Sequence, residues 1–298
     1  MKEMQIGYAL GGGGAKAFSE LGALLALEEA GIHPSFISKT SMGATIGSLY
    51  AMGYSAKELI GLFLSTRLHE LFVLTFRSLN APVENFPEGH FIKRMALHKM
   101  IPNRIEQTII PLSINVTHRK PTKSIVLTEG ALDEAVMSSN AAWGIRPISI
   151  HDFSIIRRVH KAYGKELDFS NKRLWLSDGC YLTNVPFDAL DVLRKKHTVA
   201  NSPHFDIALD VVNTYKPGIL AGLNRFNRII LRIDQSREKR FYLENRGFYI
   251  KLDGNISQTD FSMKHIDRAI EIGYRTMRDA LPKLRKEIER HKKIWRLD

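Results

Sequence analysis

Two short segments carry residues whose type and spacing suit covalent chemistry. The first is Gly11-Gly12-Gly13-Gly14, which ends an apolar run and precedes a helical one. Amide N–H groups at the start of a helix form a site for negative charge, and glycines let the main chain approach closely whatever it binds. Three uses compete for such a loop. A Walker-type phosphate loop needs Gly-Lys-Ser/Thr, whereas Gly14 is followed by Ala15-Lys16-Ala17. Gly12-x-Gly14-x-x-Ala17 fits a loose dinucleotide fingerprint, but the next strand ends Ser38-Lys39-Thr40, with no acid to hold a ribose. The third use is an oxyanion hole, where glycine amides stabilise charge developing on a carbonyl oxygen. That use needs a nucleophile. The second segment, Thr40-Ser41-Met42-Gly43-Ala44, offers Ser41 on a sharp strand-to-helix turn, with small neighbours that give the backbone room. The Gly-x-Ser-x-Gly pattern is incomplete, because Lys39 stands at its first glycine. Taken alone, the pentapeptide reads better as a serine capping a helix.

The elements needed to position these residues are legible on both sides of them. Gln5 to Leu10 reads as a short buried strand, and Ala17, Phe18, Leu21, Leu24 and Leu25 keep to one face of a helix that Gly31 stops. Ser35 to Thr40 forms a second strand, and the small and apolar residues through Met52 form a helix buried on most sides. Strand, turn, helix, strand, sharp turn, helix is the order of a layered α/β fold with a mainly parallel central sheet. Ser55 is placed to cap a helix through Leu64. An apolar stretch containing Leu68 to Phe76 then runs into a loop around Pro82, Pro87 and Gly89, and reads either as a lid or as ordinary core. Further strands are expected at Ile109 to Val116, Ser124 to Thr128, Leu174 to Leu176, Ile207 to Val212 and Arg228 to Ile233, with a long helix from about Phe261 to Trp295.

Composition bounds the setting. The chain of 298 residues is 44% apolar and 25% charged, which is ordinary for a globular protein. Its formal charge of +12 points to an anionic surface or polymer. Nucleic acid has no motif behind it beyond charge. Cys180 is the single cysteine, which excludes an intrachain disulfide and any cysteine-rich metal site and favours a reducing compartment. The N-terminus lacks the apolar run of a signal peptide, and the longest uncharged stretch, Thr40 to Ala56, is too short and too rich in Gly, Ser and Thr to span a membrane. The expected location is cytoplasmic, with peripheral membrane contact left open. That contact would fall to the last helix, where Leu281, Leu284, Ile288 and Trp295 form a stripe among lysines and arginines. The competing reading docks this helix on the core with its charges in water.

The glycine run, Leu24 to Glu29, Thr40 to Ala44 and Leu49-Tyr50-Ala51-Met52-Gly53-Tyr54 together resemble the patatin-like phospholipase family. Later landmarks fit as well: Ile110-Pro111-Leu112 opening a strand, Ala135 to Ala141 before a loop with Pro147, Ser177-Asp178-Gly179-Cys180 leading to Asn184-Val185-Pro186, and Ile266-Asp267 with Ile272-Gly273-Tyr274. The resemblance covers roughly residues 5 to 280. It implies one domain over 1–280, with 281–298 as a basic amphipathic helix that is part of it or appended to it. It further implies a Ser/Asp dyad acting on acyl esters of lipids without cofactor or metal. Ser41 is then the nucleophile and Asp178 its base, Gly12, Gly13 and Gly14 supply the oxyanion amides, and Lys16, Gly43 and Gly179 support them.

Three positions depart from the family pattern. Ala17 replaces a glycine, which is harmless if the residue is already helical. Cys180 replaces a small residue after Asp-Gly and reads as a buried filler. Lys39 is the serious departure: a long cationic side chain at the elbow either snorkels out or distorts the turn, and near Asp178 it would weaken that carboxylate as a base. The expectation is lowered activity or, as the alternative, a patatin-fold protein that binds lipid or acyl groups without hydrolysing them.

Overall fold

The computed structural model describes residues 3–65, 87–119, 122–141, 146–149, 155–157, 173–211, 238–252 and 257–295. Strand β1 (Gln5–Leu10) leads through the glycine loop into helix α1 (Phe18–Glu29), and β2 (Phe36–Thr40) leads through Ser41 into α2 (Met42–Ala51). Five strands form a parallel sheet in the order β3-β2-β1-β8-β9, with β3 at Leu112–Arg119, β8 at His204–Asp210 and β9 at Gly247–Lys251. Beyond β3 the sheet turns antiparallel, through β4 (Thr122–Leu127), β5 (Arg146–Ser149), β6 (Ile155–Arg157) and β7 (Arg173–Asp178). The expected α/β class with a mainly parallel central sheet is what the chain adopts.

Side chains alternate between the two faces of this sheet. Tyr8 and Leu10 join a large core with α1 and α2, while Ala9 faces a smaller core built with Phe187, Leu190 and Leu193 of α6 (Phe187–Lys196). On the larger side α7 (Met263–Ile294) lies along α1. A Cβ on Gly22 would stand 1.9 Å from Ile270 O, and one on Gly273 would stand 1.7 Å from Ser19 O, so the two helices meet backbone to backbone. The start of α7 is tied to the glycine loop, since Ala15 N donates to Gln258 O at 2.9 Å. Its far end stacks Trp295 on His204, the first residue of β8, at the opposite end of the strands.

One topological feature brings the site together. On a single edge of β3, β2 pairs in parallel and ends with Thr40 opposite Asn115, while β7 pairs antiparallel and ends with Asp178 opposite Val116. The other edge of β3 belongs to β4. Two strands running in opposite directions therefore terminate tip to tip at adjacent rungs, which places Ser41 beside Asp178.

Several boundaries differ from the sequence reading. Strand β3 lies three residues later than expected at each end: Pro111 has no amide to give a ladder, and Thr117-His118-Arg119 stay in the sheet because both edges of β3 are paired there. Pro87 and Gly89 belong to α4 (Pro87–His98) rather than to a loop, with proline at the first helical position where no amide bond is lost. Pro147 likewise lies within β5. The apolar stretch through Phe76 and the strand expected at Arg228 to Ile233 lie outside the described residues. Ser55 does begin α3 (Ala56–Ser65): Ser55 N and Oγ donate to Glu58 Oε2 and Glu58 N donates back to Ser55 Oγ, a reciprocal cap.

Candidate active site

Ser41 is a non-glycine residue with φ of 53°, the strained turn that a nucleophile elbow requires. The strain is held from three sides. Ser41 N donates to Ser139 Oγ at 2.8 Å, and Ser139 Oγ donates to Asn115 O at 2.7 Å, so the last residue of α5 (Leu132–Ser139) bolts the elbow to β3. Thr40 Oγ1 donates to Thr183 O and Ser38 Oγ to Pro186 O, which stitches β2 to the segment following Asp178. Gly43 is required by close approach: a Cβ there would stand 2.3 Å from Gly11 O.

The Ser41 hydroxyl donates to Asp178 Oδ2 at 2.6 Å, and Cys180 N donates to Asp178 Oδ1 at 2.8 Å. Asp178 is 3% exposed. Burial raises its pKa to about 6, although the hydrogen bonds from Ser41 and Cys180 pull in the opposite direction. A buried carboxylate held by hydrogen bonds, with no ion pair among the described residues, is a stronger base than an exposed aspartate. Gly179 lets β7 end this close to β3, since a Cβ there would stand 2.4 Å from Asn115 O.

The glycine loop packs directly on the elbow. A Cβ on Gly12 would stand 2.4 Å from both Ser41 Cβ and Cys180 Sγ. Gly12 N donates to Asn184 Oδ1 at 3.0 Å, so of the three amides expected to face an oxyanion this one is already engaged. Among the described residues the amides of Gly13 and Gly14 have no acceptor. Gly14 has φ of 57° and packs against Gln258 O. Lys16 is buried and closes the loop through its backbone, donating to Gly13 O and accepting from Ser19 Oγ. Ala17 is helical, at φ −61°, so the missing glycine costs nothing there. Cys180 is partly exposed and does more than fill space, with Sγ 3.0 Å from Asn184 Oδ1.

Lys39 neither snorkels nor distorts the turn. It is fully buried, and its ammonium donates to Ser48 Oγ at 2.9 Å and Ala44 O at 3.3 Å, both on α2. Room comes from Gly47, where a Cβ would stand 2.7 Å from Lys39 Cδ. Its ammonium is thus committed to α2 and makes no ion pair with Asp178, against the expectation that it would weaken that base.

Sequence reasoning assigned no role to Ser139, Asn184 or Asn115. The polar run Ser138-Ser139-Asn140 closing a helix whose middle, Ala135 to Met137, is apolar was the available signal. His118 is a buried strand residue opposite Leu176. No group of three metal-binding side chains occurs among the described residues, and no described helix is long and apolar enough to cross a membrane.

The chain is 31% identical over 144 residues to lysophospholipase NTE1 of Yarrowia lipolytica, covering 48% of this chain and 10% of that protein. It is 31% identical over 183 residues to lysophospholipase NTE1 of Kluyveromyces lactis, covering 61% and 11%. The chain thus matches only about a tenth of the length of these relatives. VipD from Legionella pneumophila aligns over 95% of this chain and 67% of its own, at 15% identity and a TM-score of 0.48. A family model described as patatin-like phospholipase matches residues 8–191, a span that contains the glycine loop, Ser41 and Asp178. With well over half of its length in that match, the chain belongs to the patatin-like phospholipase family.

Proposed function

We propose that the protein hydrolyses carboxylic esters of lipids, phospholipid or lysophospholipid, through an acyl-enzyme on Ser41. The observation that carries this reading is the 2.6 Å hydrogen bond from the Ser41 hydroxyl to a buried Asp178, on an elbow backed by glycine amides; among the described residues Asp178 has no ion pair and the Gly13 and Gly14 amides have no acceptor. Ser41 Oγ attacks the acyl carbon as its proton passes to Asp178 Oδ2. The carbonyl oxygen becomes an oxyanion, stabilised by the Gly13 and Gly14 amides, while Gly12 is fixed by Asn184. The intermediate collapses, the ester bond breaks, and the proton on Asp178 goes to the leaving alkoxide. Water then attacks the acyl-enzyme, gives its proton to Asp178, and the carboxylic acid leaves as Ser41 recovers that proton.

Family membership and the lysophospholipase relatives support a lipid substrate, and no cofactor or metal enters any step of this scheme. The alternative of a disabled, binding-only protein rested on Lys39, and the direction of its ammonium gives that alternative no support. The test is a short-chain ester assay with fluorophosphonate labelling. Ser41→Ala is expected to lower kcat by about 10³-fold or more and to abolish labelling with the fold intact. Labelling that persists in this variant refutes the site.

A further inference from the structure

The buried charge beneath the elbow has no part in the scheme above. Lys39 sits on β2 two residues before Ser41, where the elbow pattern has glycine, and it is fully buried. Its stem runs into the space left by Gly47 and its ammonium reaches the second turn of α2, donating to Ala44 O and Ser48 Oγ. The side chain therefore crosses the inside of the turn that it precedes and ties the end of β2 to the helix on the other side of Ser41. Glu20, also fully buried, stands behind the same turn: a Cβ on Gly43 would lie 3.1 Å from Glu20 Oε2. Burial pushes Lys39 well below and Glu20 well above their ordinary ranges, and their mutual attraction opposes both shifts.

We infer that Lys39 is a positioning residue for Ser41: it braces the elbow from inside by clamping α2 to β2, and Gly47 is the complementary vacancy that admits it. The inference rests on Ser41 being the nucleophile. A buried lysine with two acceptors resists rotation of the α2 start, and the position of Ser41 Oγ relative to Asp178 depends on that rotation. A small displacement of a nucleophile suffices for a large rate loss. Restoring the glycine of the family pattern at position 39 should therefore slow the enzyme, whereas an obstructive lysine predicts that it speeds up.

The experiment compares the unmutated full chain with Lys39→Met, which keeps an apolar stem in the Gly47 space, and with Lys39→Gly and Ser48→Ala. The readouts are kcat and KM on a short-chain ester, and the second-order fluorophosphonate inactivation rate per folded molecule measured by circular dichroism. We expect kcat and the inactivation rate to fall together by about tenfold or more in both Lys39 variants, with KM unchanged, and by a few-fold in Ser48→Ala. Variants that melt earlier but are inactivated at the unmutated rate per folded molecule overturn the inference, as does a faster Lys39→Gly. If Lys39→Met does not fold, the folded Ser48→Ala variant decides, and an unchanged rate there overturns it. Turnover that survives Ser41→Ala, or an unmutated chain that takes up no fluorophosphonate, instead overturns the hydrolase reading and this inference with it.

Discussion

Two buried carboxylates on the same sheet are treated in opposite ways. Asp206, on β8 beside Gly7, is completely buried between two guanidiniums: Arg194 pairs with its Oδ1, and Arg246 Nε donates to Oδ2 at 3.1 Å. Arg246 also holds Asp191, and Gly7 leaves the space, since a Cβ there would stand 2.6 Å from Asp206 Oδ1. Asp178 is nearly as buried but, among the described residues, meets hydrogen-bond donors of Ser41 and Cys180 and no cation. Two guanidiniums pair with the first carboxylate and occupy both of its oxygens. Leaving the second without one keeps its proton affinity within reach of neutral pH. On the proposed function, the difference is between a group that holds structure and a group that moves a proton.

The comparison can be broken from either side. Asp178→Asn is expected to lower kcat/KM by about 10² to 10⁴-fold without lowering the melting temperature, because it removes a buried charge along with the base. A smaller loss would mean that another group takes the proton from Ser41. Asp206→Asn leaves Arg194 and Arg246 underpaired in the interior, at a cost of about 3–5 kcal/mol in chemical denaturation, while turnover per folded molecule holds. Turnover that falls with stability would erase the distinction. The pH profile gives a third measure: protonation disables Asp178, so kcat/KM should drop tenfold per unit as pH falls below about 6. Asp206→Asn should leave that limb in place. Smallest of all, Cys180→Ala should change kcat by less than about threefold, since any residue there keeps the 2.8 Å amide bond to Asp178 Oδ1. A larger fall would give the thiol itself a part in the chemistry.

Strands β1 and β2 of the parallel half were legible because each is a short apolar run followed by glycine or a tight turn. Gln5 to Leu10 and Phe36 to Thr40 lie where the pattern puts them. The antiparallel half was less so. Strand β5 contains a proline, and within the parallel half β9 opens on Gly247 at φ 146°, so neither carries a clean strand signal. Ser41 and Asp178 could be nominated from motif residues, but their meeting depends on β2 and β7 ending on one edge of β3, a pairing between segments more than 130 residues apart that periodicity does not encode. Lys39 shows the other limit. Its type was legible, but its direction was set by Gly47 and Ser48, eight and nine residues on, and small residues in an apolar helix signal packing without saying what is packed. Asn184 and Ser139 were visible only as letters within motifs, since their value lies in the Gly12 and Ser41 amides they accept.

The contact between Gly22 and the backbone of α7 also bears on the order in which the protein is made. The wall of the glycine loop is Gln258, and the helix against which α1 is seated begins at Met263, so both leave the ribosome more than 200 residues after Ser41. A nascent chain that has already formed β1, β2 and the elbow carries a nucleophile whose loop has no backing. On the proposed function, hydrolytic competence is therefore tied to Gln258 and α7, and a product that stops short of them holds Ser41 and Asp178 without the surface that seats the glycine loop.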